Sequence, residues 1–170
     1  MMYRTRTYIA GDWTGDKAAI DKLHEWNNNN HLALSFTDAH NLMQARDSSL
    51  NCSIKASLKK RLDISKTFVL IVGNQTNTVT SGSCQYCPSY SSYFSKCLRN
   101  HSLDFRSYIK YECDQAVNAG IKIVVIYNAT KVDKSKCPEI LKNKGTHLPL
   151  YYYENGTCYW NYQNIKKALS

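Results

Sequence analysis

Apolar and polar positions along this chain alternate between two periods. Short apolar or β-branched runs bounded by turn residues are typical of strands, and nearly continuous ones indicate strands buried on both faces of a sheet. The runs TFVLIV and IKIVVIY have this continuous character, and the first ends at Gly73-Asn74. Five strands are predicted in total, at residues 6–10, 32–36, 67–72, 121–127 and 148–153.

Helical periodicity fills the intervals between these runs. Asp16 is a predicted N-cap of the first helix, and Gly120 is a predicted residue just past the end of the third. In the second helix, leucine and isoleucine side chains step by four residues along one face. The predicted helices cover about residues 17–27, 49–66, 105–119, 138–142 and from 161 onward.

The order βαβαβ, an insertion, then αβαβα predicts an α/β fold. Strands separated by helices indicate a five-stranded, mostly parallel sheet covered on both faces, in a single domain over residues 1–170. The ligand crevice of such a sheet lies outside the carboxyl ends of the strands. Its predicted walls are residues 11–16, 37–47 and 73–78 and the start of the helix that carries Glu112.

The insertion at about residues 75–104 has little periodicity and is rich in serine, tyrosine and cysteine. A loop of this length in a compact domain is functional, stapled or unstructured. The spacing Cys84-x2-Cys87-x9-Cys97-x3-His101 offers four soft ligands, so a structural zinc ion is one prediction. Reduced cysteines in a flexible lid are the alternative, and the tyrosines are equally consistent with a partner surface.

Composition narrows the classes of partner. The 170 residues are 43% hydrophobic and 21% charged, and 22 Lys and Arg against 13 Asp and Glu give a net charge of +9. This charge attracts anions, but the basic residues are scattered and match no nucleic-acid-binding signature. A nucleic acid partner is therefore disfavoured. Without an apolar run of about 18 residues or a signal sequence, we expect a cytoplasmic protein with no membrane partner.

Several nucleotide and hydrolase motifs are absent from the sequence. There is no G-x-G-x-x-G after the first strand and no G-x-x-x-x-G-K-[ST], which disfavours a dinucleotide dehydrogenase and a P-loop NTPase. There is also no G-x-S-x-G elbow of the kind that α/β-hydrolases use.

Four segments together resemble the TIR-like domains. They are RTYIAGDW, FTDAHNLMQARDSSL, FVLIVG and the helix SYIKYECDQAVNAG before IKIVVIYN. Over about residues 3–128 the chain is more specifically similar to the TIR-like component of Thoeris antiphage-defence systems. The resemblance implies a flavodoxin-like sheet of five parallel strands, in agreement with the pattern above.

The resemblance also implies a reaction. TIR-family enzymes cleave the nicotinamide–ribose bond of NAD with a glutamate on the helix after the third strand, and Glu112 in YIKYE matches it. Glu112 lies beside the apolar stripe of its helix, at the rim of the crevice. A fixed carboxylate there stabilises the oxocarbenium-like ribose that forms as nicotinamide leaves. The alternative is an exposed glutamate paired with Lys110 or Arg106. For the reaction that the resemblance implies, NAD is the substrate and no cofactor is required.

The remaining site residues follow from the same resemblance. Tyr8, Gly11, Asp12 and Trp13 match the first strand of the family and the loop after it, where an aromatic ring stacks on nicotinamide or adenine and a glycine permits close approach. Asp38 and Arg46 lie in the loop that matches the family's BB loop, which borders the ligand, and the arginine there holds the pyrophosphate. The alternatives are packing at the core edge for the aromatic rings and a surface ion pair for the arginine. The predicted substrate-binding residues are Tyr8, Gly11, Asp12, Trp13, Asp38, Arg46, Asn74 and Tyr108.

The sequence therefore predicts an NAD-consuming enzyme of bacterial antiphage defence. It would make a cyclic or conjugated ADP-ribose signal for a separate effector, and it would form homo-oligomers through TIR–TIR contacts. Two alternatives stay open: a non-catalytic TIR-like interaction module, and a basic domain that binds nucleotides or nucleic acid.

Overall fold

A computed structural model describes residues 4–34, 36 and 50–170 of the chain. The strands are β1 (Arg6–Ala10), β2 (Ser65–Val72), β3 (Tyr90–Ser91), β4 (Lys96–Cys97), β5 (Lys122–Tyr127), β6 (Thr146–Pro149), β7 (Tyr151–Glu154) and β8 (Thr157–Trp160). The α-helices are α1 (Lys17–Asn28), α2 (Asn51–Asp63), α3 (Tyr108–Asn118) and α4 (Tyr162–Leu169).

The central sheet has the order β1-β2-β5-β6, and every neighbouring pair in it is parallel. Tyr8 of β1 stands beside Phe68 of β2, and Val69 of β2 stands beside Val124 of β5. This arrangement confirms the predicted α/β class with a mostly parallel sheet and helices on both faces. The carboxyl ends of the strands meet at one edge, which is where ligands bind in folds of this type.

Two apolar cores cover the two faces of the sheet. Alternate residues of β2 serve each core, since successive side chains of a strand point to opposite faces. Leu70 packs with side chains of α2 and α3, whereas Ile71 packs with side chains of α1 and α4. Both residues are fully buried. Burial of one such side chain stabilises the fold by about 1.5–3 kcal/mol, so the continuous apolar run of β2 holds both layers together.

The predicted strand at residues 32–36 is not a strand in the residues described there, 32–34 and 36. The side chain of Asn27 instead forms hydrogen bonds with both backbone groups of Phe36. Its amide nitrogen donates to the Phe36 carbonyl over 2.8 Å, and its oxygen accepts from the Phe36 N–H over 3.0 Å. Side-chain bonds of this kind compete with strand pairing. The described sheet therefore has four strands rather than five.

The predicted strand at residues 148–153 is divided into two. Strand β6 ends at Pro149, and β7 then pairs antiparallel with β8 outside the sheet. The hairpin turn is Asn155-Gly156, with φ of 48° and 79°. A two-residue Asn-Gly turn with both φ positive is a strong hairpin signal, and the apolar pattern alone did not reveal it.

Helix boundaries differ from the predicted ones at capping residues. Helix α3 begins at Tyr108 rather than at Phe105, because the Ser107 side chain accepts a hydrogen bond from the Lys110 N–H and so starts the helix there. Helix α2 begins at Asn51 rather than at residue 49, which lies outside the described residues. Residues 139–141 form a 3₁₀ turn instead of a short α-helix.

The insertion is ordered by short elements. It contains a 3₁₀ turn at Cys84–Tyr86 and a small hairpin of β3 and β4.

Within the described ranges, no helix combines the length and the apolar character needed to span a bilayer.

Candidate active site

Glu112 lies in the interior of the protein, where α3 packs against the parallel sheet. It belongs to the second turn of α3, and only 5% of its surface is exposed. The hydroxyl of Tyr8, on β1, donates a hydrogen bond to Glu112 Oε1. Burial of a carboxylate costs free energy unless the group is hydrogen-bonded. The hydrogen bond from Tyr8 therefore both orients the Glu112 side chain and replaces a bond to water. The alternative of an exposed surface glutamate is therefore wrong.

Arg106, the proposed partner in that alternative, binds two other carboxylates. It donates to Asp104 over 2.8 Å and to Asp114 over 2.6 Å. The hydrogen bonds from Arg106 lower the pKa of Asp104 to about 2, and both carboxylates help to raise the pKa of Arg106. Lys55 of α2 donates to the carbonyls of Asp104 and Arg106 over 3.0 and 2.7 Å. These bonds fix the segment that leads into α3, and with it the position of Glu112.

The Tyr8 side chain contacts Glu112 and does not form an exposed stacking surface. Its ring is fully buried and stacks on the Phe68 ring at a centroid distance of 5.9 Å and an interplanar angle of 26°. The predicted role of Tyr8 as a platform for a base therefore needs correction, since no face of the ring is open to a ligand. Its hydroxyl instead donates a hydrogen bond to the carboxyl group of Glu112.

The loop after β1 carries three predicted substrate-binding residues. Gly11 is buried, and a methyl group there would come within 3.2 Å of Ile71 Cβ. The absence of a side chain at this position therefore makes room for the core side chain of Ile71 rather than for a ligand. Asp12 accepts a hydrogen bond from the Thr14 N–H over 3.0 Å and shapes the loop. Trp13 is 45% exposed, and it is the aromatic side chain of this loop that a ligand can reach.

Asn74 and Tyr108 make contacts with different parts of the chain. Asn74 is exposed and accepts a hydrogen bond from Lys136 Nζ over 2.7 Å. The Tyr108 ring lies over Gly82 of the insertion, and its hydroxyl donates to Asn51 of α2 over 3.2 Å. Asp38 and Arg46, the predicted BB-loop residues, lie outside the described residues.

Asp16 is a residue whose role sequence reasoning missed. The predicted cap bond is absent, since the Asp16 side chain makes no capping hydrogen bond to α1. The carboxyl group instead contacts the residues that directly follow β2 and β5. Its Oδ1 accepts a hydrogen bond from Asn128 Nδ2 over 2.9 Å and packs on Gly73. Its other oxygen, Oδ2, is buried without a hydrogen-bond partner, and burial raises the pKa of the group. A glycine directly after a buried strand was the available signal.

The four predicted zinc ligands do converge. Cys84, Cys87, Cys97 and His101 line one small cavity, and Cys52 of α2 joins them. In the part of the chain that the structure describes, however, no three His, Cys, Asp or Glu side chains are spaced to hold a metal ion as they stand.

A family model gives an independent view of the chain. Residues 8–81 match the model described as Thoeris protein ThsB, TIR-like domain. The match includes Tyr8, the loop after β1, Asp16 and Gly73, and it ends before Glu112. No curated protein matches the chain. The resemblance expected from the sequence motifs is thus confirmed over residues 8–81, which are similar to the TIR-like domain of the Thoeris protein ThsB.

Proposed function

We propose that this protein cleaves the nicotinamide–ribose bond of NAD, with Glu112 as the catalytic carboxylate. One observation carries the proposal: Glu112 is buried on α3, beside the parallel sheet, and receives a hydrogen bond from Tyr8 of β1. Surface glutamates are common, whereas a glutamate this buried is rare unless it has a partner or a task. The family match supports the proposal through the fold it implies, and it does not itself include Glu112.

The reaction uses a fixed negative charge. As the bond from the ribose carbon to nicotinamide breaks, its electron pair goes to the ring nitrogen and positive charge develops on the ribose. The carboxylate of Glu112 stabilises this charge, and its orientation is set before the reaction by the Tyr8 hydroxyl. A nucleophile then bonds to the ribose carbon and gives up its proton.

The identity of that nucleophile decides the product. Water yields free ADP-ribose, whereas a nitrogen or oxygen of the nucleotide itself, or of a second molecule, yields a cyclic or conjugated product. We propose the second outcome, with the product acting as a diffusible signal for a separate effector. Homo-oligomers formed through TIR–TIR contacts are part of the same proposal. The net charge of +9 suits an anionic dinucleotide substrate.

The test measures nicotinamide release from NAD by purified protein at high concentration. We expect release by the wild type and a loss of at least 100-fold in Glu112→Gln, because one well-placed charged group contributes about that much to the rate. Glu139→Gln is the matched control, since the Glu139 side chain is 85% exposed in its ion pair with Lys142. Tyr8→Phe keeps the ring and removes the hydroxyl, and we expect an intermediate loss.

The same variants are then compared in phage-infected cells, where a trigger is present. NAD loss that depends on Glu112 supports the proposal, and mass spectrometry of the product separates cyclic, conjugated and free ADP-ribose. Equal release by wild type and Glu112→Gln would contradict the role of Glu112.

An interaction module is the second candidate, and one observation favours it. The β7–β8 hairpin exposes four large aromatic side chains: Tyr152, Tyr153, Tyr159 and Trp160. Exposed aromatic clusters are typical of interaction surfaces. If this is the whole function, Glu112→Gln protects cells against phage as well as the wild type does, and substitutions in the hairpin abolish protection.

A further inference from the structure

Basic residues gather at the edge of the parallel sheet where its strands begin, here called the amino edge. Arg6 is the first residue of β1, and Lys122 is the first residue of β5. Lys66 is the second residue of β2, and the strand register places it between them. Lys144 lies two residues before β6. Because neighbouring strands are parallel, these four positions form a row of cations across one edge of the sheet.

Two helices bring further basic residues to the amino edge. Helix α2 leads directly into β2, and Lys122 Nζ donates to the Ser170 backbone oxygen over 2.7 Å, which joins the end of α4 to β5. The last turns of these helices contain Lys60, Arg61, Lys166 and Lys167. Basic residues also stabilise the negative end of a helix dipole. In α1 and α3, whose residues are all described, the last turn has no basic residue, so the dipole does not explain the gathering of charge.

Little negative charge offsets these cations. Asp63 is the acidic residue of α2, and Lys59 binds it over 3.0 Å, while the sequences of α4, β1, β2 and β5 contain no Asp or Glu. The Arg61 side chain is only 6% exposed. Its Nε and Nη2 are buried and make no hydrogen bond in the part of the chain that the structure describes. Salt screens a buried charge less than an exposed one, so Arg61 strengthens the positive potential of the amino edge.

The amino edge offers charge without an apolar anchor. Among the described residues, none of the large exposed hydrophobic side chains belongs to its strands, to the segment before β6 or to the last turns of α2 and α4. A helix that binds a bilayer surface buries apolar side chains in it, and a site for single-stranded nucleic acid stacks the bases on aromatic rings. A duplex, in which the bases are already paired, presents phosphates and needs neither kind of anchor.

The length of the row suits a duplex. Neighbouring strands of a sheet are about 4.8 Å apart, so the row from Arg6 on β1 to Lys144 before β6 is about 14 Å long. The major groove of B-DNA is about 12 Å wide. Side chains at the two ends of the row can therefore contact phosphates on both sides of one groove, while Lys66 and Lys122 lie between them.

We propose that the amino edge binds the phosphate backbone of double-stranded nucleic acid. Contacts to phosphates carry no sequence information, so binding is independent of the base sequence. The sequence gave the opposite expectation because these cations are far apart along the chain, and the parallel topology brings them together. Ligands of such sheets bind at the carboxyl ends of the strands, which form the opposite edge. The inference therefore goes beyond the proposed NAD cleavage and does not depend on it.

The experiment measures binding of a fluorescent DNA duplex of about 20 base pairs to the full protein, by anisotropy at salt concentrations from about 50 to 400 mM. We expect a plot of log K against log salt with a slope of about −3 to −4, because each of four phosphate contacts releases a counterion. A second DNA sequence and an RNA duplex bind with similar affinity, since both present the same phosphates. The unpaired single strand binds more weakly.

A double variant removes two of the four contacts. We expect Lys66→Gln with Lys144→Gln to reduce the slope by about 2 and the affinity at about 0.1 M salt by about 50- to 100-fold. The matched control is Lys131→Gln with Lys134→Gln, which has the same net charge and changes two exposed lysines beyond the carboxyl end of β5. This control binds as the wild type does. Glu112→Gln also binds normally, so failure of duplex binding and failure of NAD cleavage are distinguishable.

Three results would overturn the proposal. One is a wild-type protein that binds neither duplex at about 50 mM salt, where phosphate contacts are strong. Another is equal weakening in the two double variants, which would assign binding to net charge rather than to the amino edge. The third is competition by polyglutamate or by vesicles of anionic lipid that matches competition by unlabelled duplex, which would assign the edge to an acidic protein or a membrane. Circular dichroism checks that each variant is folded, as expected for changes at exposed lysines.

Discussion

The parallel sheet and the insertion are ordered by different means. In the sheet, seven of the eight residues of β2 are buried, and the apolar pattern alone places the strand between two helical layers. In the insertion, large side chains such as Phe94 and Leu98 are exposed, and order comes from turns, a short hairpin and side-chain bonds. Burial of apolar surface is non-directional and tolerant, whereas bonds of the second kind need particular atoms in particular places. Helix α3, which carries Glu112, follows the insertion along the chain.

The largest expected effect is a contrast between two leucines. Leu70 of β2 is fully buried, and Leu98 of the insertion is 58% exposed. We expect Leu70→Ala to lower the free energy of unfolding by about 2–5 kcal/mol, because it removes buried methyl groups and leaves a cavity. The same substitution at Leu98 changes it by less than about 0.5 kcal/mol.

Urea denaturation of the two variants measures both values. A cost at Leu98 similar to that at Leu70 would contradict the comparison, since it would reveal an apolar core within the insertion.

A smaller effect is expected at the sheet edge, where Gly73 meets Asp16. A methyl group at position 73 would lie 2.0 Å from Asp16 Oδ1, so Gly73→Ala forces the carboxylate or the strand end to move. We expect a loss of about 1–3 kcal/mol of stability, the usual cost of overpacking. Gly156→Asn is the control, because position 156 has open space and a left-handed backbone that Asn tolerates.

A double-mutant cycle identifies the cause of that loss. If the clash with Asp16 is responsible, Gly73→Ala costs less in an Asp16→Ala background than in the wild type. Equal costs in the two backgrounds would mean that strain elsewhere in the strand end explains the effect.

The same division explains what the sequence could predict. The apolar runs of β1, β2 and β5 predicted three of the four strands of the sheet, and the periodicity of residues 108–118 placed Glu112 beside a buried stripe. The strand predicted at residues 32–36 was wrong because the Asn27 side chain forms hydrogen bonds with the backbone groups of Phe36. The periodicity of apolar residues carries no sign of such a contact. Tyr8 was expected to bind substrate, and its contact with Glu112 joins residues 104 positions apart. Cys52 was missed as a member of the cysteine cluster for the same reason.

The smallest effects are expected at two aspartates whose pKa values move in opposite directions. Hydrogen bonds from Arg106 lower the pKa of Asp104 to about 2, so its contribution to stability is complete above pH 3.8 and is lost as the pH falls towards 2. Burial raises the pKa of Asp16 above 3.8, so its contribution is complete below pH 3.8 and is lost as the pH rises through the pKa of the folded state.

Unfolding free energies of Asp104→Asn and Asp16→Asn between pH 2.5 and 7 test this opposition. Relative to the wild type, Asp104→Asn should lose its disadvantage as the solution becomes acidic, and Asp16→Asn should gain as the pH rises above about 3.8. Neither slope can exceed about 1.4 kcal/mol per pH unit, the limit for one proton, and the Asp104 slope is smaller because solvent screens its ion pair. Asp21→Asn, on the exposed face of α1, is the comparison variant. Parallel pH profiles for the two variants would mean that the sheet edge does not bury the Asp16 carboxyl as described, because burial is the largest cause of its raised pKa.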